Sequence, residues 1–166
     1  MAAADRLVVD IVDIRRHTGT RRRVGSRLVL PDLEVGEKSI VDGRLEMDLV
    51  VESVTEGVVV SGRVTAMSRT PCRRCLRDVD LPLDVDIREI FEAVPTEGET
   101  WPIDGEQIDL TPVVREVVLL NLPIAPLCAD DCAGPEPDRF PTGQTIDDEP
   151  ARDERWAALD ELRFDE

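Results

Sequence analysis

Val79-Asp80-Leu81-Pro82-Leu83-Asp84-Val85-Asp86-Ile87-Arg88-Glu89-Ile90-Phe91 alternates apolar and charged side chains almost without a break, with the apolar ones at odd positions. A period of two is a strand with one face buried and the other in water, the pattern of an antiparallel sheet. Pro82 has no N–H to give to a ladder, which puts this strand at an edge or beside a bulge. Upstream, Leu45-Glu46-Met47-Asp48-Leu49-Val50-Val51-Glu52-Ser53-Val54 begins with the same alternation and closes in the turn Thr55-Glu56-Gly57. Val58-Val59-Val60-Ser61-Gly62-Arg63-Val64-Thr65-Ala66-Met67 is a second β-branched run. Three long strands joined by short connections predict a β-meander, with Cys72 and Cys75 in the turn between its second and third members.

The flanks are less regular. Leu7, Val8, Val9, Ile11, Val12 and Ile14 suit either a strand or a short helix. Arg15-Arg16-His17-Thr18-Gly19-Thr20-Arg21-Arg22-Arg23 reads as a loop, and Ser26–Leu30 as a short strand ended by Pro31. Residues 95–105 read as a loop. Asp109-Leu110-Thr111-Pro112 then starts a helix, since Asp109 or Thr111 can cap and Pro112 fits the first turn. Val113, Val117 and Leu120 share one face of it, with Val114 and Val118 adjacent, and Pro123 and Pro126 stop it. Past Cys132 the chain is polar and Pro-rich, a composition of poor order. Trp156, Leu159 and Leu162 mark a short terminal helix over 153–162.

The four cysteines are Cys72, Cys75, Cys128 and Cys132, the first pair spaced C-x₂-C and the second C-x₃-C. Two such pairs can give one Zn²⁺ a tetrahedral set of thiolates, which would tie the sheet to the end of the helix. Free thiols and a redox pair remain the alternatives. A thioredoxin-type motif opens a helix, whereas this first pair precedes a strand. Arg73, Arg74 and Arg77 favour thiolates, and so serve redox chemistry and metal binding equally. Four cysteine ligands leave no open coordination position, so the zinc reading is structural. His17, the single histidine, sits among arginines as a solvated side chain, and no nucleophile elbow, Walker loop or dinucleotide fingerprint occurs.

Charge divides the chain. Its 166 residues carry a net charge of −16, yet residues 1–30 hold seven Arg against three Asp. Residues 31–132 hold nine basic and 22 acidic side chains, and the remainder four and eleven. A polyanion can be met by one end of such a chain. Arg15, Arg16, Arg21, Arg22, Arg23 and Arg27 can clamp phosphates, and Arg73 and Arg74 can extend that patch if the fold brings them near. The plainer reading is a solvated loop paired with the protein's own acids. Three Phe, two Trp and no Tyr are too few for a base-stacking platform. No run of about 20 apolar residues occurs, and Met1-Ala2-Ala3-Ala4-Asp5 lacks the features of a secretory signal, so the expected location is the cytoplasm.

Arg16-His17-Thr18-Gly19, Cys72-Arg73-Arg74-Cys75-Leu76, Ile108 to Glu116, Leu122 to Cys128 and Asp153 to Leu159, taken in this order, resemble stretches of the YceD family, bacterial and plastid proteins linked to accumulation of large-subunit 23S rRNA. Arg16-His17-Thr18-Gly19 is similar to its early Arg-x-x-Gly loop, and Cys72-Arg73-Arg74-Cys75-Leu76 to its Cys-x-Arg-Cys-Leu knuckle. Ile108 to Glu116 resembles its Asp-Leu-x-x-x-Val-Arg-Glu helix start, and Leu122 to Cys128 its Leu-Pro-x-x-Pro-Leu-Cys segment. Asp153 to Leu159 resembles the terminal Asp-Pro-Arg-x-x-x-Leu. Gly134-Pro135-Glu136-Pro137-Asp138 departs from the Gly-Leu-Cys-x-x-Cys-Gly of many relatives. The resemblance implies a role in ribosome biogenesis at large-subunit RNA, and it favours the arginines as RNA contacts.

The expectation is therefore an α+β protein, an antiparallel β-meander sheet or partly open barrel with one or two packed helices and a four-cysteine zinc clamp. Residues 1–132 form one domain, and 133–166 an acidic, partly disordered tail with a short terminal helix. The expected function is a non-enzymatic factor for 23S rRNA accumulation that contacts rRNA or a large-subunit precursor. The rival is an adaptor that binds a ribosomal protein through its acidic surface.

Overall fold

The computed structural model describes residues 6–139, within which ten elements follow in order. They are β1 (Val8–Asp10), α1 (Val12–Arg15), β2 (Arg21–Val29), β3 (Glu34–Val35) and β4 (Lys38–Ser53), then β5 (Gly57–Pro71), β6 (Asp78–Glu92), β7 (Trp101–Pro102), β8 (Gln107–Asp109) and α2 (Thr111–Leu120). The chain separates into two compact units, Met1–Cys132 and Ala133–Glu166, and every named element lies in the first. The terminal helix expected around Trp156 and the stretch 140–149 lie outside the described residues.

The alternating stretch is β6, and with β4 and β5 it makes the expected meander. Each strand is antiparallel to the next, in the register Asp48↔Arg63↔Asp86. β2 pairs antiparallel to the outer side of β4, so the order is β2-β4-β5-β6-β7, with β3 paired beside β4. One pairing departs from a pure antiparallel sheet: β7 runs parallel to β6 at Phe91↔Trp101. Nothing joins β2 to β7 among the described residues, so the sheet does not close into a barrel. β1 and β8 form a separate two-stranded sheet. Pro82 sits where β6 has no ladder on its outer side among the described residues, the edge position its missing N–H requires.

One face of the sheet carries the core. Met47, Leu49 and Val51 of β4, Val58, Val60 and Val64 of β5, and Val85, Ile87 and Phe91 of β6 are buried there. Ile11, Ile14, Ile108 and Leu110, together with α2, complete the cluster. The arc of α2 that is buried is Val113, Val114 and Val118, with Val117 half-buried, while Leu120 is exposed. The expected face was therefore rotated. Leu110, one turn upstream, is fully buried and centres the arc nearer Val114, which leaves Leu120 on the rim at the helix end.

Three further readings change. Leu7–Ile14 is neither a strand nor a helix alone but β1 followed by the single turn of α1. The Arg-rich loop ends at Thr20, because Arg21, Arg22 and Arg23 already pair with Glu52, Val51 and Val50 in the ladder. The span 95–105 contains the two-residue β7. At α2 Pro112 does sit in the first turn, and Asp109 accepts the Thr111 N–H through Oδ1 at 2.9 Å from within β8, without being the N-cap residue.

Candidate metal centre

β5 and β6 meet in a tight turn at one end of the sheet, where Leu76 N–H donates to the Cys72 carbonyl and Cys72 N–H to the Arg77 carbonyl. Those bonds aim the Cys72 and Cys75 side chains the same way. The chain returns to this end after α2, and Arg73 N–H donates to the Pro126 carbonyl at 2.9 Å, stitching the second cysteine segment to the first. All four Sγ atoms lie within 4.8 Å of one another. The sequence spacing supplied each pair, but only the register of β5 with β6 and the path of residues 121–128 brought the two pairs together.

The geometry fits a metal. A tetrahedral Zn²⁺ with Zn–S near 2.3 Å has S···S edges of roughly 3.8 Å. The Cys72–Cys132 and Cys75–Cys128 separations are 3.8 and 3.7 Å. These are far from the ~2.05 Å of a disulfide, and all four cysteines are free. The donors around the sulfurs also suit thiolates. Cys72 Sγ accepts the N–H of Arg74 at 3.5 Å and of Cys128 at 3.4 Å. Arg77 Nε reaches Cys75 Sγ at 3.4 Å, and its Nη2 lies 3.9 Å from Cys128 Sγ. The four sulfurs can hold a metal ion.

These donors separate the thiols in acidity. The Cys75 amide leads in drawing the Cys72 thiol down to about 6, against the opposing effect of burial, and the Arg74 and Cys128 amides add to it. Cys75 is lowered first by the Arg77 guanidinium. Cys128 is pushed up to about 12, chiefly by its contact with Cys132 and then with Cys75. The set is asymmetric in exposure as well, because Cys72, Cys75 and Cys132 are buried and Cys128 faces solvent.

Of the three arginines that the sequence reading sets beside the thiols, Arg77 is the one whose guanidinium faces the sulfurs. Arg74, expected at RNA, is exposed, and its Nη1 donates to the carbonyl of Cys132 at 2.9 Å and lies 3.4 Å from that of Asp130. Arg73 is exposed, and its guanidinium has no partner among the described residues.

The N-terminal arginines stand elsewhere. Arg21 pairs with Glu52, Arg23 with Asp48 and Arg27 with Glu46 across the β2–β4 ladder, and Arg16 with Asp13. Arg22 donates to the Asp10 carbonyl. The Arg15 guanidinium has no partner among the described residues, and Arg15 and His17 are exposed. Arg21 lies opposite Glu52, which lies opposite Val59 on β5, and from Val59 to Cys72 the strand climbs 13 residues. At about 3.3 Å per residue that is roughly 40 Å, and for Arg27, opposite Glu46 and through it Thr65, the seven residues to Cys72 span roughly 23 Å. The two groups of arginines do not form one patch.

A mostly β protein with two helices and a closed set of four thiols at one end of its sheet defines the class. A model of the family described as "Large ribosomal RNA subunit accumulation protein YceD" matches residues 60–163. The chain belongs to this family. It is 32% identical to the uncharacterized protein Rv2926c of Mycobacterium tuberculosis, over 96% of this chain and 82% of that protein. The uncharacterized proteins ML1660 of Mycobacterium leprae and YlbN of Bacillus subtilis are 33% and 28% identical, over 75% and 69% of this chain and 57% and 69% of theirs. No solved structure matches. Among the described residues no helix is long and apolar enough to cross a membrane.

Proposed function

We propose that this protein is a non-enzymatic, cytoplasmic factor that supports accumulation of 23S rRNA during large-subunit assembly. The family match over 60–163 carries the reading, because that family is described by large ribosomal RNA subunit accumulation. Cys72, Cys75, Cys128 and Cys132 hold a structural Zn²⁺, and exposed arginines contact rRNA or its precursor. Sulfur separations of 3.7 and 3.8 Å support the metal assignment. A set of four cysteine ligands has no open position at which a substrate could be polarised, which supports a structural rather than catalytic ion.

Two experiments test this. Protein purified without added zinc should contain one Zn²⁺ per chain, and chelation should lower its thermal midpoint by several degrees. Depletion of the protein should lower 23S relative to 16S rRNA. An unchanged ratio would overturn the ribosomal role, and zinc-free protein of equal stability would overturn the metal.

The adaptor reading has one observation in its favour. Arg21, Arg23 and Arg27 are already neutralised by the acids of β4, so the surface they lie on is less basic than the sequence suggests. An acidic protein of this kind can hold a basic ribosomal protein. Binding that survives nuclease digestion of the rRNA would favour it.

A further inference from the structure

We propose that the four-thiol centre is also a redox site: hydrogen peroxide oxidises Cys128 first, a disulfide then closes between Cys128 and Cys75, and the metal leaves. The clamp thereby exchanges an ion for a covalent bond. This rests on the metal reading above and adds a second state to that centre.

Exposure singles out the point of attack. Cys72, Cys75 and Cys132 are 0%, 7% and 6% exposed, whereas Cys128 faces solvent. Oxidation of a cysteine follows its thiolate character and its access, and coordination to a metal supplies the thiolate. Contact selects the partner. Cys75 Sγ lies 3.7 Å from Cys128 Sγ, and the Arg77 guanidinium reaches both sulfurs, at 3.4 and 3.9 Å. A disulfide needs about 2.05 Å, and Cys128, with solvent on its outer side, makes that approach by side-chain rotation. Cys72 and Cys132, 3.8 Å apart and both buried, are left as the reduced pair.

The step balances in two stages. The Cys128 thiolate attacks one oxygen of hydrogen peroxide, so that an S–O bond forms as the O–O bond breaks, and the departing hydroxide takes a proton to become water. The Cys75 thiolate then attacks the sulfenic sulfur; the S–S bond forms, the S–O bond breaks, and the second hydroxide leaves as water in the same way. Two thiolates have lost two electrons to one peroxide, and the ion, left with two sulfurs of four, dissociates. The cross-link joins residues 53 apart, in segments that the Arg73 N–H bond to the Pro126 carbonyl already holds together. A bond across that length of chain restricts the unfolded state, so the oxidised protein keeps part of what the metal supplied. A dithiol reverses the change by taking the disulfide back to two thiols and becoming a disulfide itself.

The test uses the full chain loaded with Zn²⁺ and treated with one equivalent of hydrogen peroxide. The ion should pass to a chromogenic chelator, and peptide mapping should find Cys75 joined to Cys128. Brief exposure in the presence of dimedone, which traps sulfenic acids, should label Cys128 about tenfold ahead of the other three cysteines. That labelling is read in the wild type, so the assignment stays testable whatever Cys128→Ser does to folding. Cys128→Ser that holds zinc through its three remaining thiolates should release it to peroxide about tenfold more slowly. Oxidised, zinc-free protein should melt several degrees above chelated, reduced protein, and dithiothreitol with Zn²⁺ should restore the metal. Zinc retained through peroxide treatment, first labelling at a buried cysteine, or a disulfide between another pair would overturn this assignment and leave the structural ion standing. Protein that never holds zinc would overturn the metal reading and this inference together.

Discussion

Arg77 shows how a single side chain tunes the candidate centre. Its guanidinium faces the Cys75 and Cys128 sulfurs, the half of the set that includes the exposed thiol. A fixed cation beside thiolates offsets their charge and orients their lone pairs, and outer-shell partners of this kind are typically worth roughly 10–100-fold in metal affinity. In protein loaded with Zn²⁺, Arg77→Ala should therefore release the ion to a chromogenic chelator about tenfold faster, with Arg77→Lys intermediate because a point charge cannot bridge two sulfurs. Equal release rates would show that the backbone donors suffice. Gly62 is a second single-residue constraint. Its φ of 146° and the overlap that a Cβ would make with the Asp48 carbonyl oxygen mean that β4 and β5 approach too closely there for any side chain. Gly62→Ala should cost more than about 1 kcal/mol in urea denaturation.

At the scale of elements, the outer face of the sheet is a ladder of opposite charges. Arg63 of β5 lies between Asp84 and Asp86 of β6, Arg69 holds Asp80, and β2 presents its arginines to β4. These pairs are exposed, so each contributes little alone and less at high salt. Two carboxyls are nonetheless held below their ordinary range. For Asp80 the hydrogen bonds from Arg69 dominate. At Asp109, which joins β8 to α2, burial acts upward and is outweighed by Thr111 and Arg6. A carboxyl whose folded pKa lies below the unfolded value of about 3.9 stabilises fully above that value and loses the effect as pH falls through the folded pKa. Asp109→Asn should thus flatten the acid limb of stability below about pH 4, read from urea midpoints across that range. A limb as steep as the wild type's would place the acid sensitivity elsewhere. On the buried face Phe91 anchors β6 where β7 joins it, and Phe91→Ala should cost about 3–5 kcal/mol.

At the scale of the whole described unit, a long sheet carries cysteines at one end and the β2–β4 arginine ladder towards the other. Alternation along β4, β5 and β6 was legible because period two has one physical meaning, and Pro82 reported its edge. The helix start was legible from Pro112. The burial phase of α2 was not, since Val113, Val114, Val117, Val118 and Leu120 are all apolar and only the position of the sheet selects among them. The strand character of Arg21–Arg23 was hidden too, because three adjacent arginines mask alternation and their pairing with Glu52 to Val50 is non-local.

The same division applies to the site. Residue type and short spacing were enough to define the four thiols, their pairwise turns and the family to which the chain belongs. The fold in three dimensions settled the rest: the two pairs converge within 4.8 Å, Arg77 rather than Arg73 or Arg74 faces the sulfurs, and the arginine clusters lie far apart. Strand register and the return path after α2 set those relations over more than fifty residues, and no local pattern encodes a distance across a sheet.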